Sequence, residues 1–132
     1  MAATLTITAT EEGRITILHL SGRLDAESQG QLMDAARKLH DNGVRFLLID
    51  LQNVDFIASA GLGALHNIYK LFTPEEEVDA WRNEKHGEPF KSPYMKLAMA
   101  SPSVYYVLNI AGFLQNIPIY PDLQSALASF PK

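Results

Sequence analysis

Phe46-Leu-Leu-Ile-Asp-Leu-Gln-Asn-Val-Asp-Phe-Ile-Ala-Ser-Ala-Gly-Leu-Gly63 is the stretch that decides the fold. It begins with an apolar run, Phe46 to Leu51, interrupted only by Asp50. Such a run suits a strand covered on both faces, and hence a sheet with helices around it. After Phe56 and Ile57 the side chains shrink to Ala58, Ser59, Ala60 and Gly61, and then Leu62, Leu65, Ile68, Tyr69 and Phe72 recur at helical spacing. A helix is therefore expected to start near Ser59 or Ala60, directly after a buried strand.

A hydroxyl at that junction has two physical uses. Ser59 can accept a hydrogen bond from one of the orphan first-turn amides, a cap worth about 1 kcal/mol. Phosphorylated, it would carry roughly −1.5 to −2 charge and three acceptor oxygens, at the end of a helix dipole that favours anions. The fold would tolerate that phosphate, whereas a partner docked over the helix start would not. Modification would then switch binding and leave the domain folded.

Upstream, residues 4–10 alternate with Leu5, Ile7 and Ala9 in phase, residues 14–20 alternate again, and Glu11-Glu12-Gly13 between them suits a hairpin turn. Asp25 is positioned to cap a helix over residues 26–40, with Leu32, Ala35, Ala36 and Leu39 on one face and Asp41-Asn42-Gly43 closing it. The decisive strand itself is read over residues 45–51. Residues 94–100 read as a further strand, and Ser101-Pro102 opens a helix that Gly112 ends. A short strand over 117–120 follows, and Asp122 caps a last helix reaching Ser129. This order is that of a small α/β domain with helices packed on a mixed sheet.

Two separated motifs resemble a known family. The stretch from Leu48 through Leu65 resembles the signature of STAS domains, the bacterial anti-sigma factor antagonists: an apolar strand, then Asp-Ser or Asp-Thr, a small residue, and Gly-Leu-Gly opening a helix. Upstream, Ile15-Thr-Ile-Leu-His-Leu-Ser-Gly-Arg-Leu-Asp25 is similar to the family's second strand and following loop, with Asp25 on its Asp position. The resemblance covers nearly the whole chain and implies a single STAS domain over residues 1–132, with about five strands and about four helices. It places Ser59 on the phospho-acceptor and Ala60, Gly61, Leu62 and Gly63 on the small-residue helix start; Ala58 stands where the family usually has Asp. It further implies a partner-binding surface of Arg23, Asp25, Ala58, Ser59, Ala60, Gly61 and Leu62. The implied partner is an anti-sigma factor of the serine-kinase type, bound when Ser59 is unmodified and released once that partner phosphorylates it with ATP. A fixed, unphosphorylated STAS adaptor of a transport or stress-sensing assembly is the first alternative, and a nucleotide-binding STAS module using the amides at Ala60 to Gly63 is the second.

Composition narrows the classes further. A chain of 132 residues, 47% apolar and 20% charged, has the size and make-up of one globular domain. Fifteen acidic against 11 basic residues leave a net charge of −4 with no cluster of lysines or arginines, which argues against direct nucleic-acid binding. There is no cysteine, so neither a disulfide framework nor a thiolate zinc site is expected. The start Met-Ala-Ala-Thr-Leu-Thr does not read as a signal peptide, and no run reaches the roughly 18 to 20 apolar residues of a membrane span. The expectation is a cytoplasmic protein without a cofactor.

Enzymatic readings fare poorly. Ile57-Ala-Ser59-Ala-Gly61 has Ile where a nucleophile elbow needs its first glycine, and Gly61-Leu-Gly63 has His66 where a dinucleotide fingerprint needs its third. His19, His40, His66 and His86 are not spaced as metal ligands with Asp or Glu. A triad of Asp25, Ser59 and His19 has no support in spacing. The chain is expected to be a substrate and ligand of a kinase, not an enzyme.

One segment exceeds the connection usual in the family. Thr73-Pro74-Glu75-Glu76 has the pattern of a capping box with proline at the first helical position, Val78 and Trp81 can share a face, and residues 83–93 carry Gly87, Pro89 and Pro93. The 73–93 segment is either a docking or self-association element or an elaborated surface connection pinned by Trp81.

Overall fold

The computed structural model describes residues 5–84 and 87–131; Thr4 and His86, named above, lie outside them. A mixed sheet runs in the order β1-β2-β3-β4-β5. Its strands are β1 (Leu5–Glu12), β2 (Ile15–Leu24), β3 (Phe46–Ile57), β4 (Met95–Ala98) and β5 (Ile119–Tyr120). Among the described residues the helices are α1 (Gln29–Asp41), α2 (Ser59–Phe72), α3 (Glu75–Glu84), α4 (Pro102–Ile110) and α5 (Leu123–Ala128). β1 and β2 form the expected antiparallel hairpin, and every later neighbour pairs in parallel.

The two sheet faces are covered unequally. Leu18, Leu20, Leu47, Ile49, Leu51, Met95 and Leu97 belong to the main core with Leu32 and Ala36 of α1, Leu65 and Ile68 of α2, and Val104 and Leu108 of α4. Ile17, Leu48 and Ala98 point the other way, into a smaller cluster with Ala126 of α5 and Phe130. The strand at 46–51 is thus buried on both faces, as its apolar run required. At the far edge β5 is two residues long and flanked by Pro118 and Pro121, which withhold backbone donors from an incoming strand.

Several element bounds differ from expectation for identifiable reasons. β3 runs on to Ile57 because β2 continues beside it to Leu24, and two register shifts, between His19 and Ser21 and between Gly22 and Arg23, each add a residue on the β3 side. Buried Leu51, Val54 and Ile57 are consequently three apart, so the period of two that marks a strand is lost. Since β4 pairs only with Leu47–Asp50, residues 51–57 of β3 continue beyond it, paired with β2 alone. α1 begins at Gln29 and not at 26, because residues 25–28 close a turn of their own. β4 stops at Ala98, where Met99 takes a positive φ of 65°.

The caps at Ser101 and Asp122 are as expected: their side chains accept from Val104 N and Ser125 N, at 3.3 Å and 2.7 Å. The capping box at Thr73 is not. Thr73 is buried, with Oγ1 2.8 Å from Ser92 Oγ, so it ties the end of α2 to the chain entering β4. α3 itself buries no residue; Trp81 holds the 87–90 segment by donating Nε1–H to the Glu88 carbonyl at 2.9 Å and meeting Phe90 edge-on at 6.2 Å.

Candidate functional site

The pairing of β2 with β3 brings the two sequence motifs together. Arg23 lies opposite Phe56 and Leu24 opposite Ile57, so the 23–25 segment sits beside the turn into α2. Ala58 N–H donates to the Leu24 carbonyl at 2.9 Å, tying that turn to the end of β2. Gly61, one helical turn on, is buried against the same residue: a Cβ there would fall 2.5 Å from Leu24 O and 2.7 Å from Leu24 Cγ. Only glycine permits this approach. Gly63, in contrast, has open space where its side chain would be.

Ser59 is not the cap of α2. Ala58 occupies the N-cap in an extended conformation (φ −98°, ψ 174°), its carbonyl accepts Leu62 N–H at 3.0 Å, and among the described residues no side chain bonds the helix start. A cap needs its side chain just outside the helix, where it can turn back to the amides. Ser59 is instead the first helical residue, exposed, with no hydrogen-bond partner for Oγ among the described residues. Ala60 and Leu62 are half-buried beside it. The junction is therefore an exposed hydroxyl on a helix whose first amides no side chain covers.

The neighbouring 23–28 segment is held by its own hydrogen bonds. Asp25 Oδ1 accepts from Glu27 N at 3.0 Å and Ser28 N at 3.2 Å, and Gln29 N donates to the Asp25 carbonyl at 2.9 Å. Ser28 Oγ donates to the Arg23 carbonyl at 2.7 Å and accepts from Asp25 N at 3.0 Å. These local bonds compete with helix geometry, so Asp25 caps a turn and the helix starts after it. Desolvation raises the Asp25 pKa, but the bonds from Ser28, Glu27 and Arg23 outweigh it and hold the carboxyl below its ordinary value.

Arg23 places its Nε 3.4 Å from Asp25 Oδ2 and its guanidinium over the Phe56 ring, 4.7 Å from the centroid. Phe56 is 43% exposed, a large apolar side chain left at the surface two residues before Ala58. Phe56 was not among the residues singled out from the sequence. Its signal was available as an aromatic residue next to the motif, but its direction is set by the β3 register shifts.

A family profile for the STAS domain matches residues 6–76. The chain belongs to the STAS domain family. It is 27% identical over 114 residues to an anti-sigma F factor antagonist of Paenibacillus polymyxa, a match covering 86% of this chain and 84% of that protein. Its fold is similar to the crystal structure of an anti-sigma factor antagonist from Mycobacterium paratuberculosis (TM-score 0.73, 21% identity, 95% and 92% of the two chains covered). It is also similar to the Bacillus cell fate determinant SpoIIAA in its phosphorylated form (TM-score 0.61, 15% identity, 93% and 97% covered). At these identities the structural likenesses speak for the fold.

Within this STAS domain the expected site residues fall into two groups. Arg23, Asp25, Ala58, Ser59 and Ala60 reach the surface to varying degrees at one end of the sheet, with Leu62 half-buried behind them, while Gly61 supports them from beneath. His19 belongs elsewhere: it bonds Thr10 and Asp50, not Ser59 or Asp25. Among the described residues no three His, Asp or Glu gather as a metal site, and no helix is long and apolar enough to cross a membrane.

Proposed function

We propose that this STAS domain is an anti-sigma factor antagonist worked by phosphorylation of Ser59. In the unmodified state Ser59, Ala60 and Leu62, with Ala58, Arg23, Asp25 and the exposed Phe56, form the surface that meets an anti-sigma factor, with Gly61 supporting the helix start. The partner is a serine kinase: Ser59 Oγ bonds to the γ-phosphorus of ATP, the bond from that phosphorus to the β–γ bridging oxygen breaks, and a base takes the hydroxyl proton. Ser59 Oγ has no partner among the described residues, so the base comes from the kinase and this chain acts as substrate and ligand. The phosphate adds about −1.5 to −2 charge. The uncovered amides of α2 and its dipole accommodate it without unfolding the domain, while desolvation and charge repulsion expel the partner.

The observation that carries this reading is the exposed Ser59 at the first position of α2, inside the stretch that the family profile covers. Ala58 favours a second reading, a fixed STAS adaptor with no phosphate cycle, because it offers no carboxylate beside the acceptor. Incubation with the cognate kinase and ATP, followed by site-resolved mass spectrometry and binding assays, separates the two. Phosphate on Ser59 and at least a hundredfold weaker partner binding by Ser59→Asp support the switch. An unmodified Ser59, with equal binding by Ser59→Ala and Ser59→Asp, refutes it in favour of the adaptor.

A further inference from the structure

A second exposed hydroxyl stands on the opposite side of β2, that of Thr10. Cross-strand pairing sets Thr8 opposite His19 and His19 opposite Asp50, and Thr10 is the diagonal neighbour on the same face. His19 Nδ1 lies 2.7 Å from Asp50 Oδ2, and His19 Nε2 lies 2.8 Å from Thr10 Oγ1. Asp50 is buried at 6% exposure and is itself held by Gln52 N–H, which donates to Oδ1 at 2.9 Å. Thr10 is exposed and His19 half-buried between them.

For the neutral imidazole, donor chemistry fixes the direction of this chain. A neutral imidazole that satisfies both contacts carries its proton on Nδ1, donates it to the Asp50 carboxylate, and accepts the Thr10 hydroxyl proton at Nε2. A carboxylate that fixes the tautomer, an imidazole with its free nitrogen on a hydroxyl, and a hydroxyl open to solvent are the parts that activate an oxygen nucleophile. Simple cross-strand adhesion needs neither the buried carboxylate nor that order. Nothing in the phosphorylation of Ser59 uses these residues.

We propose that Thr10 is an activated hydroxyl that accepts an acyl group from small activated acyl donors, with His19 as its general base and Asp50 as the residue that positions His19. Thr10 Oγ1 bonds to the donor's carbonyl carbon, the bond from that carbon to its leaving group breaks, and the hydroxyl proton passes to His19 Nε2 and on to the leaving group. Thr10 lies on an exposed strand, and the reaction is a single stoichiometric modification.

The test uses p-nitrophenyl acetate as the probe and counts acetyl groups at each residue by mass spectrometry over time. Thr8 shares the strand, the face and the exposure and serves as the internal control. General-base assistance is worth about 10² to 10⁴ in rate, so Thr10 should be acetylated at least about a hundredfold faster than Thr8. His19→Gln should bring Thr10 down to the Thr8 rate, Thr10→Ser should retain the fast reaction, and Asp50→Asn should slow it at least about tenfold. His19→Gln should also flatten whatever pH dependence the ratio of the Thr10 rate to the Thr8 rate shows in the wild type, an effect that a merely structural role for His19 would not produce. Wild-type Thr10 reacting no faster than Thr8, acetyl resting on His19 without reaching Thr10, or an unchanged Thr10 rate in a folded His19→Gln protein would each overturn the proposal. Because Ser59 takes no part, these outcomes are independent of the phosphorylation reading.

Discussion

Replacing Gly61 and Gly63 separately by Ala makes two nearly identical changes in one helix with opposite expected results. At Gly63 the new methyl meets nothing within 4 Å, and removing the backbone freedom of a helical glycine is worth up to about 1 kcal/mol of added stability. At Gly61 the same gain is available, but the methyl would sit 2.5 Å from Leu24 O and 2.7 Å from Leu24 Cγ. Ordinary contact needs roughly another ångström, so α2 must lift away from the end of β2. Overpacking of this kind costs about 1 to 3 kcal/mol. The lift also stretches the 2.9 Å bond from Ala58 N–H to Leu24 O, worth about 1 kcal/mol. Against the gain of about 1 kcal/mol, Gly61→Ala should be destabilised by about 1 to 3 kcal/mol and should lie about 2 to 4 kcal/mol below Gly63→Ala. Urea unfolding read as a midpoint at unchanged slope measures both. Equal midpoints for the two variants would refute the claim that Gly61 is there for close approach to Leu24.

Two further outcomes follow from named contacts. Phe56→Ala removes an exposed ring and the stacking partner of Arg23, so stability should change by less than about 1 kcal/mol while affinity for the anti-sigma factor falls about thirtyfold, the size of an interface hot spot; calorimetric titration showing undiminished affinity removes Phe56 from the binding surface. Lys96, 5% exposed, donates from Nζ to Ser129 O and Oγ at 2.9 Å each, beside the rings of Phe130 and Tyr120, and burial lowers its pKa from the ordinary 10.5. In the window between that lowered value and 10.5 the unfolded chain binds more protons than the folded one, so stability should rise with pH there, and Lys96→Met should lack the rise. Urea midpoints from neutral pH to about 10.5 that stay parallel for the two proteins contradict this.

The apolar run at 46–51 made the sheet legible, because burial on both faces leaves no alternation to misread, and the caps at Ser101 and Asp122 were legible because their side chains act within three residues. What escaped was the far end of β3. Its buried residues Leu51, Val54 and Ile57 are spaced by register shifts against β2, and such shifts are properties of a pair of strands that neither strand announces alone. The same cause hid Phe56, whose exposure beside Arg23 depends on the second shift. Thr73 failed as a cap for a similar reason: its partner Ser92 lies nineteen residues away, and local pattern cannot foresee a tertiary bond.

Ser59 shows how one residue's displacement changes the chemistry a sequence motif allows. One position earlier it would have spent its oxygen on the helix amides and competed with its own modification. With Ala58 at the N-cap, the amides of the first turn have no side-chain partner and Ser59 Oγ has none among the described residues, so donor groups for a phosphate and the oxygen that would carry it are both left available. Gly61 completes the arrangement from below, since its contact with Leu24 fixes the helix start against β2, beside the segment where Arg23 and Asp25 are held by Ser28. The small residues of the motif thus have separate physical tasks. Ala58 leaves the cap vacant, Ser59 is exposed, and Gly61 seats the helix, so substitutions at these three positions should separate into effects on modification and effects on folding.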